Sequence, residues 1–276
     1  MDISVRNYED PGPFSVVAGE FLRSRPVLHN LVLTIVDRRL AEPEEGHYWV
    51  AFCGEKVVGV ALQSPLTYPA TVVPMEPEVA VALVDAIADS GSDLPGVNGE
   101  VATAASFAGR WTERRRAAAV PTQGLRLYEL NGLNEIPAVE GRLRRADAGD
   151  RSLAVSWMEE FDAEAHVPPR DIYNLIDVAL ESARVWLWDA GAAVSMAIGS
   201  KPIEGVVRVS GVYTPKADRG RGYARACVHG LSAVLLDAGY RCVLYTDLGN
   251  PTSNSIYRRI GYKAVSEGIC YRFDEL

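Results

Sequence analysis

Cysteine is scarce in this chain of 276 residues, and its four cysteines lie far apart. Cys53, Cys227, Cys242 and Cys270 form no Cys-x-x-Cys pair, and no nearby pair of histidines completes a zinc-binding pattern. Zinc sites and disulfide-rich secreted domains both depend on closely spaced cysteines. We therefore expect no metal site, and buried free thiols in a reducing compartment.

Long apolar runs are missing as well, and the opening segment does not have the pattern of a signal peptide. The longest apolar run, around LVLTIV, is far shorter than the roughly 20 residues that a helix needs to span a bilayer. The opening segment MDISVRNYEDPGP is acidic and interrupted by proline, whereas a signal peptide is basic and then apolar. These features predict a cytoplasmic protein with no membrane partner.

Positive charge is also in short supply, since the formal net charge is -8 at pH 7. A surplus of negative charge repels the phosphate backbone of nucleic acids. The basic clusters at residues 114–116 and 142–145 are short, which is typical of a solvated helix or strand face, with an anion-binding patch as the alternative. We expect no nucleic-acid partner.

Apolar residues, in contrast, make up 48% of the chain, enough to bury a substantial core. The length fits two domains of modest size. Residues 128–150 contain Asn-Gly, Pro137 and further glycines between patterned segments, a composition typical of a connection. We predict two domains, residues 1–137 and 138–276.

The two halves of the chain show a similar pattern. HYWVAFCGEKVVGVALQSP in the first half and ARVWLWDAGAAVSMAIGSK in the second both predict two strands around a glycine turn. Each half also starts with helical patterns and ends with a strand-like segment. A duplicated αβ unit is one interpretation, and a chance similarity of two hairpins is the other. An offset of 137 residues aligns three pairs: Trp49 with Trp186, Gly54 with Gly191, and Val57 with Val194.

The elements of the second half can be predicted more closely. VVRVSGVYT, residues 206–214, and CVLYTDL, residues 242–248, have the β-branched and apolar composition of strands. Between them, apolar residues of the segment 223–240 recur at a spacing of three and four, which predicts a helix with one buried face. A shorter helix is predicted from Asn250, a favoured N-cap that proline follows, to Gly261.

The segment DRGRGYARA, residues 218–226, joins the first of these strands to the longer helix. N–H groups at a helix N-terminus can bind phosphate oxygens, and Gly220 and Gly222 would let such a ligand approach the main chain. The segment matches neither the P-loop pattern GxxxxGK[ST] nor the dinucleotide pattern GxGxxG. An anion-binding loop and a tight turn with solvent-exposed arginines both remain open. In an anion-binding loop, charge would come from Arg219, Arg221 or Arg225.

A different pattern does fit this segment. The residues from Arg219 to Ala224 read as [Q/R]xxGx[G/A] and follow a strand, which resembles the acetyl-CoA loop of the GNAT N-acetyltransferase superfamily. A second similarity lies downstream in GNPTSNSIYRRIGYKAV. There GNAT sequences open a short helix with Asn, here Asn250, carry Tyr seven residues on, here Tyr257, and end with a Gly-aromatic pair, here Gly261-Tyr262.

This resemblance covers residues 206–273 by motif and residues 139–276 by element order. It implies an α/β (α+β) fold, with a mixed, mostly antiparallel sheet flanked by helices, and two such domains in tandem. The corresponding segment of the first half, PMEPEVAVALVDAIADSG, has no RxxGxA loop. The first half is therefore predicted to be a degenerate copy that has lost cofactor binding.

The resemblance also implies roles for single residues. Acetyl-CoA would be the co-substrate, with the pyrophosphate on the glycine loop and the pantetheine arm on the preceding strand. Tyr257 would be the general acid that protonates the departing thiolate, since a phenol with a pKa near 10 can donate on demand. A core aromatic is the alternative for Tyr257, and a plain N-cap is the alternative for Asn250. The implied cofactor-binding residues are Val212, Thr214, Arg219, Gly220, Arg221, Gly222, Tyr223, Ala224 and Asn250.

The general base is not identified by the resemblance. Many GNAT enzymes carry a Glu on the strand before the loop, but this strand reads Arg208-Val209-Ser210-Gly211. Acidic and imidazole side chains in the stretch SWMEEFDAEAH could reach the acceptor or act through water, although each also fits a solvated helix face. They are Glu159, Glu160, Glu164 and His166.

We therefore expect an enzyme that transfers the acetyl group of acetyl-CoA to a primary amine of a small molecule or peptide. The alternative is a CoA-binding regulatory or interaction module without turnover. A nucleotide-binding oxidoreductase is disfavoured by the missing dinucleotide pattern. The sequence identifies neither the acceptor nor the oligomeric state.

Overall fold

The computed structural model describes residues 2–165 and 170–275. The chain divides into two compact units. The first comprises Met1–Leu127, Thr246–Gly249 and Ala264–Leu276, and the second comprises Tyr128–Tyr245 and Asn250–Lys263. This division differs from the one expected at residue 137, because the end of the chain packs with the first unit and not with the second. As a boundary between two ancestral copies, residue 137 stays a prediction.

Apart from short 3-10 turns, the described residues of each half form ten α-helices and strands in the same order: one strand, two helices, three strands, then helix, strand, helix, strand. This repetition is what a duplicated αβ unit predicts. The first set is β1 Ile3–Tyr8, α1 Pro11–Arg23, α2 Asn30–Ala41, β2 His47–Cys53, β3 Lys56–Gln63, β4 Ala70–Val72, α3 Pro77–Asp89, β5 Gly96–Glu100, α4 Val101–Arg115 and β6 Ala117–Leu130. The second set is β7 Arg142–Arg145, α5 Arg151–Ala165, α6 Ile172–Glu181, β8 Val185–Asp189, β9 Ala193–Gly199, β10 Val206–Tyr213, α7 Tyr223–Asp237, β11 Arg241–Asp247, α8 Pro251–Ile260 and β12 Tyr262–Glu275.

Antiparallel pairs dominate both units. In the first unit β1, β2, β3 and β4 pair antiparallel in that order, β4 and β5 pair parallel, and the end of β12 pairs antiparallel with β5. In the second unit β7, β8, β9 and β10 pair antiparallel, and β10 and β11 pair parallel. The predicted fold class, a mixed and mostly antiparallel sheet flanked by helices, is confirmed.

The paired hairpins in the two halves form for the same local reason. Gly54 and Gly191 have φ angles of 60° and 92°, a backbone region that residues with a Cβ rarely adopt. Each glycine therefore allows a tight turn, between β2 and β3 in one case and between β8 and β9 in the other. The strands that precede these turns carry Trp49, which is buried in the core of the first unit, and Trp186, which is half-buried and packs against a core of the second.

The sheet of the second unit separates two apolar cores. Alternate residues of a strand point to opposite faces, and on β9 Ala197 faces one core while Met196 and Ile198 face the other. Helices α7 and α8 cover the first face, which includes Tyr257. Helices α5 and α6 cover the second face, which includes Tyr213. The strand β10 therefore has a helix layer on each side.

Two further features concern the environment of the chain. Among residues 2–165 and 170–275, no helix is long and apolar enough to cross a membrane. The same residues contain no cluster of three or more His, Cys, Asp or Glu side chains that could hold a metal ion. The four cysteines are free thiols, and Cys227 and Cys242 are fully buried.

The pairing of β5 with β12 depends on a glycine. A Cβ added at Gly96 would lie 2.1 Å from the carbonyl oxygen of Tyr271, so we expect Gly96→Ala to destabilise the chain by about 1–3 kcal/mol. Gly109 in α4 has open space around it, and Gly109→Ala should stabilise by about 0.5–1 kcal/mol because alanine favours helix. Chemical denaturation of both variants measures the difference. Equal stability would contradict the described register of β5 and β12.

Candidate cofactor and active site

The strand β10 is interrupted by a bulge just before its end. Its register with β9 shifts between Ser210 and Tyr213, and Gly211 has a φ angle of 56°. Such a bulge leaves main-chain groups out of the ladder and turns the strand. A Cβ at Gly211 would lie 2.7 Å from the Met158 methyl group of α5, so the glycine also allows α5 to pack closely.

On its other side, β10 separates from β11. Their parallel pairing runs from Val206 with Arg241 to Arg208 with Val243, although both strands continue beyond these residues. An unpaired strand edge of this kind can pair with another extended chain. The edge from residue 209 onward is therefore available to a ligand that enters between the two strands.

Side chains hold the end of β10 in place. The Ser195 hydroxyl on β9 donates to the Tyr213 carbonyl at 3.0 Å, and the Thr214 hydroxyl donates to Ser195 Oγ at 2.9 Å. Both hydroxyls are buried. The Arg219 Nε donates to the Thr214 carbonyl at 2.9 Å. These three bonds fix the path of the chain as it leaves the sheet.

The glycine loop leads directly into α7. After a 3-10 turn at Lys216–Asp218, Gly220 and Gly222 adopt φ angles of 80° and 86°, and the helix begins at Tyr223. The first helical bond runs from the Ala226 N–H to the Gly222 carbonyl at 3.0 Å. Among residues 2–165 and 170–275, no side chain caps this N-terminus. The N–H groups of the first turn thus lack helical acceptors and carry the positive end of the helix dipole.

The three arginines of the loop differ in their surroundings. Arg219 is bound to the Thr214 carbonyl and to Glu164, and Arg221 is exposed, 3.6 Å from Asp218. The guanidinium of Arg225 folds back over the loop, with Nη2 3.2 Å from the position that a Cβ on Gly222 would take. Among the described residues, its buried Nε has no hydrogen-bond partner.

Asn250 and Tyr257 lie on α8 as the sequence predicts. The Asn250 side-chain oxygen accepts from the Ser253 N–H at 3.0 Å, which makes this residue the N-cap of α8. Tyr257 is 8% exposed and packs edge-on against Tyr262, with ring centroids 6.0 Å apart. Burial, together with the nearby Cys227 thiol, raises the pKa of Tyr257 well above its ordinary value. The phenol is therefore protonated at neutral pH.

The predicted base candidates separate into different environments. Glu160 accepts a short hydrogen bond from the Tyr213 hydroxyl, and burial followed by this bond raises the pKa of Tyr213 to about 12. Glu164 is engaged by Arg219 and lies 3.8 Å from Lys216. Glu159 is exposed on α5. His166 lies outside the described residues.

Two residues of this site, Tyr213 and Ser195, were missed by sequence reasoning. Tyr213 connects the end of β10 to Glu160 on α5, and Ser195 connects it to β9. Both contacts join residues distant in sequence, and no local pattern marks them. The letters VYT predict a strand end and nothing more.

The counterpart region of the first unit is built differently. A Cβ on Gly99 in β5 would lie 2.4 Å from Val72 Cγ2 and 2.9 Å from the Val72 carbonyl oxygen, so β4 and β5 stay close where β10 and β11 separate. Helix α3 then starts at Pro77, with Glu76 as N-cap and Glu78 in the first turn. Carboxylates at this position repel an anion. This end of α3 has neither the opening nor the charge of the glycine loop.

Known proteins resemble this chain in two ways, by a family model that matches the region around α7 and by solved structures that cover nearly the whole chain. Residues 202–271 match the family model of FR47-like proteins, whereas no curated protein matches the chain. An acetyltransferase of the GNAT family from Colwellia psychrerythraea has 11% identity and a TM-score of 0.63, over 99% of this chain and 100% of its own. The chain shares the fold of this GNAT acetyltransferase.

Other solved structures extend the comparison. A GCN5-related N-acetyltransferase from Sphaerobacter thermophilus has 17% identity and a TM-score of 0.67, over 98% of this chain and 95% of its own. A tandem GNAT protein from the clavulanic acid biosynthesis pathway has 13% identity and a TM-score of 0.56, over 98% of each chain. Identities this low show the fold alone. The predicted GNAT fold is confirmed, and the roles of its site residues stay predictions.

Substitution of Gly222 tests whether this glycine loop binds a ligand or is only a turn. We expect Gly222→Val to weaken CoA binding by about tenfold or more, because a branched side chain would cover the main chain that phosphate must approach. The positive φ angle also costs about 1–3 kcal/mol of stability. Calorimetric titration with CoA measures the affinity, and chemical denaturation measures the stability.

Gly239 provides the matched control for this strain. It lies just beyond the other end of α7, with a φ angle of 83° and open space around its Cα. Gly239→Val should lose similar stability and keep its CoA affinity. Equal affinities of the two variants would mean that the glycine loop is merely a turn.

Proposed function

We propose that this chain is an N-acetyltransferase that moves the acetyl group of acetyl-CoA to a primary amine. The observation that carries the proposal is the uncapped N-terminus of α7, which follows Gly222 and lies next to the separated strands β10 and β11. A helix N-terminus with unpaired N–H groups favours a phosphate ligand. An open strand edge beside it favours an extended arm on the same ligand. CoA combines these two chemical features.

The pyrophosphate would lie on the main chain of residues 219–224. Of the loop arginines, we assign the principal charge to Arg225, because it is folded over Gly222 and its Nε has no partner among the described residues. A buried donor without an acceptor is costly, and a phosphate oxygen would satisfy it. Arg221 is exposed and would add charge at longer range.

The pantetheine arm would pair with the main chain beyond the bulge, at Val212 and Thr214. The carbonyl of Thr214 already accepts from Arg219, so we assign the contact of this residue to its N–H group. Asn250 would contact the same arm through its amide nitrogen while its oxygen caps α8. The N-cap role and the binding role of Asn250 are therefore compatible.

In the reaction, the amine nitrogen attacks the thioester carbonyl carbon, and the carbon–sulfur bond breaks as the tetrahedral intermediate collapses. Tyr257 would give its phenolic proton to the CoA thiolate, and the raised pKa of this buried phenol keeps the proton in place until that step. A base removes the proton that the amine nitrogen loses. We assign this role to Glu160, because Tyr213 holds it at the end of β10, whereas Glu164 is engaged by cations.

The acceptor would be an amine-bearing small molecule or peptide, and the reaction would take place in the cytoplasm. Buried free thiols such as Cys227 and Cys242 fit a reducing compartment. The alternative function is a CoA-binding module without turnover. The absence of a Glu on β10 favours this alternative, since many GNAT enzymes place their base there. Measured turnover separates the two.

Only the second unit should bind CoA, because the first unit has acidic residues at the N-terminus of α3 and closely packed strands beside it. Calorimetric titration should therefore give one CoA per chain. The ligand should also raise the stability by about 2.7 kcal/mol at a hundredfold excess over Kd. Two equivalent sites would contradict the asymmetry of the two units, and no binding would contradict the proposed function.

Tyr257→Phe tests the acid. The ring and its packing are kept while the donor is deleted, so turnover should fall by about 10²-fold at saturating acetyl-CoA with little change in affinity. Steady-state kinetics on one acceptor, read by thiol release, measures this. Unchanged turnover with chemistry rate-limiting would show that water protonates the thiolate. Lost affinity with normal turnover would show a binding role instead.

Tyr262→Phe is the control for Tyr257→Phe. Its hydroxyl is also buried, 2.8 Å from Ser232 Oγ, and its ring contacts Tyr257. Deletion of this hydroxyl leaves Ser232 without its partner and should cost about 1 kcal/mol of stability. It removes no group from the proposed site, so turnover should stay near that of the parent chain.

A further inference from the structure

The guanidinium of Arg219 contacts three residues, two at the end of β10 and one on α5. Its Nε donates to the Thr214 carbonyl at 2.9 Å, at the end of β10. Its Nη2 lies 2.9 Å and 2.8 Å from the two carboxylate oxygens of Glu164 on α5. Its plane also lies over the Tyr213 ring, with Cζ 5.6 Å from the ring centroid. The first arginine of the loop therefore already has acceptors for Nε and Nη2 before any ligand binds.

We propose that Arg219 is a positioning residue that ties the glycine loop to β10 and α5, and that it is not a phosphate ligand. This inference rests on the proposed binding of CoA. Two of the nitrogens through which arginine forks onto phosphate are used on Thr214 and Glu164. The Glu164 carboxylate also neutralises the charge that Arg219 would offer to an anion.

The glycines of the loop explain why contacts that restrict its conformation would matter for binding. Gly220 and Gly222 have many accessible backbone conformations in a free loop, and fixing them on binding would cost conformational entropy. Arg219 precedes both and anchors the start of the loop to the sheet. A loop held in this way presents its N–H groups before CoA arrives, so the contacts of Arg219 would strengthen CoA binding without touching CoA.

Substitution of Glu164 distinguishes the two possible roles of Arg219, phosphate ligand or positioning residue, because each role predicts a different direction of change in CoA affinity. If Arg219 bound phosphate, Glu164 would compete for it and repel the anion, so removal of its charge would tighten CoA binding. If Arg219 positions the loop, removal of that charge would loosen the loop and weaken CoA binding. The two roles therefore predict opposite changes in CoA affinity for the same substitution, Glu164→Gln.

The experiment is calorimetric titration of CoA into the parent chain and five variants. We expect Glu164→Gln and Arg219→Ala each to weaken binding by about 3- to 10-fold, which is the range of a partly exposed ion pair with added contacts. The double variant should be no weaker than the weaker single variant, because both changes break the same tie. Glu159→Gln removes the same charge from the same helix and should stay within about twofold of the parent affinity.

A conservative variant supplies the readout that a general loss of structure would not give. Arg219→Lys keeps the positive charge but cannot reproduce the planar fork between Thr214 and Glu164. A phosphate ligand would retain most of its affinity as lysine, whereas a positioning residue would behave like Arg219→Ala. Thermal unfolding of each variant without ligand confirms that the comparison is made on folded protein.

The outcomes divide cleanly. Weaker binding in Glu164→Gln, with non-additive effects and no rescue by lysine, supports the inference. Unchanged or tighter binding in Glu164→Gln while the parent chain binds CoA overturns this inference alone. A CoA affinity of Arg219→Lys close to that of the parent chain also overturns this inference alone. Absence of CoA binding by the parent chain overturns the proposed function and this inference with it.

Discussion

The first turn of α7 carries N–H groups that no side chain in the described part of the chain caps, and the proposed site depends on this single feature. Within the residues that the structure describes, four other α-helices have side-chain caps at their N-termini, among them α8 with Asn250. Helix N-termini that lack a partner are satisfied by water or by an anion. Gly220 and Gly222 add no side chains of their own that would cover this end. The loop thus favours a ligand that brings its own acceptors.

The bulge in β10 makes the same end of the sheet accessible. Because the register shifts at Gly211 and the pairing with β11 stops at Arg208, the last residues of β10 present a free edge next to the loop. The first unit has the same order of elements but keeps β4 against β5 at Val72 and Gly99. The same order of elements therefore leaves an opening between β10 and β11 in the second unit and none between β4 and β5 at Val72 and Gly99 in the first. The difference lies in a few residues at the strand ends and not in the fold.

Local patterns predicted much of the fold and part of the site. Asn250 as a helix cap, the glycine loop between β10 and α7, and the two glycine hairpins each follow from a residue and its immediate neighbours. The contacts of Arg219 could not be predicted this way, since Glu164 lies 55 residues away and nothing in its surroundings marks it. The division of the chain also differs from the expected one, because β12 pairs with β5 through contacts that span most of the sequence.

A crystal structure of the chain with CoA tests the central claim most directly. The account predicts pyrophosphate oxygens within hydrogen-bond distance of main-chain N–H groups of residues 219–224, with the pantetheine arm along β10 beyond Gly211. It also predicts no CoA at the N-terminus of α3. A CoA molecule at α3, or one whose pyrophosphate lies away from the first turn of α7, would contradict the claim that this uncapped turn is the anion site.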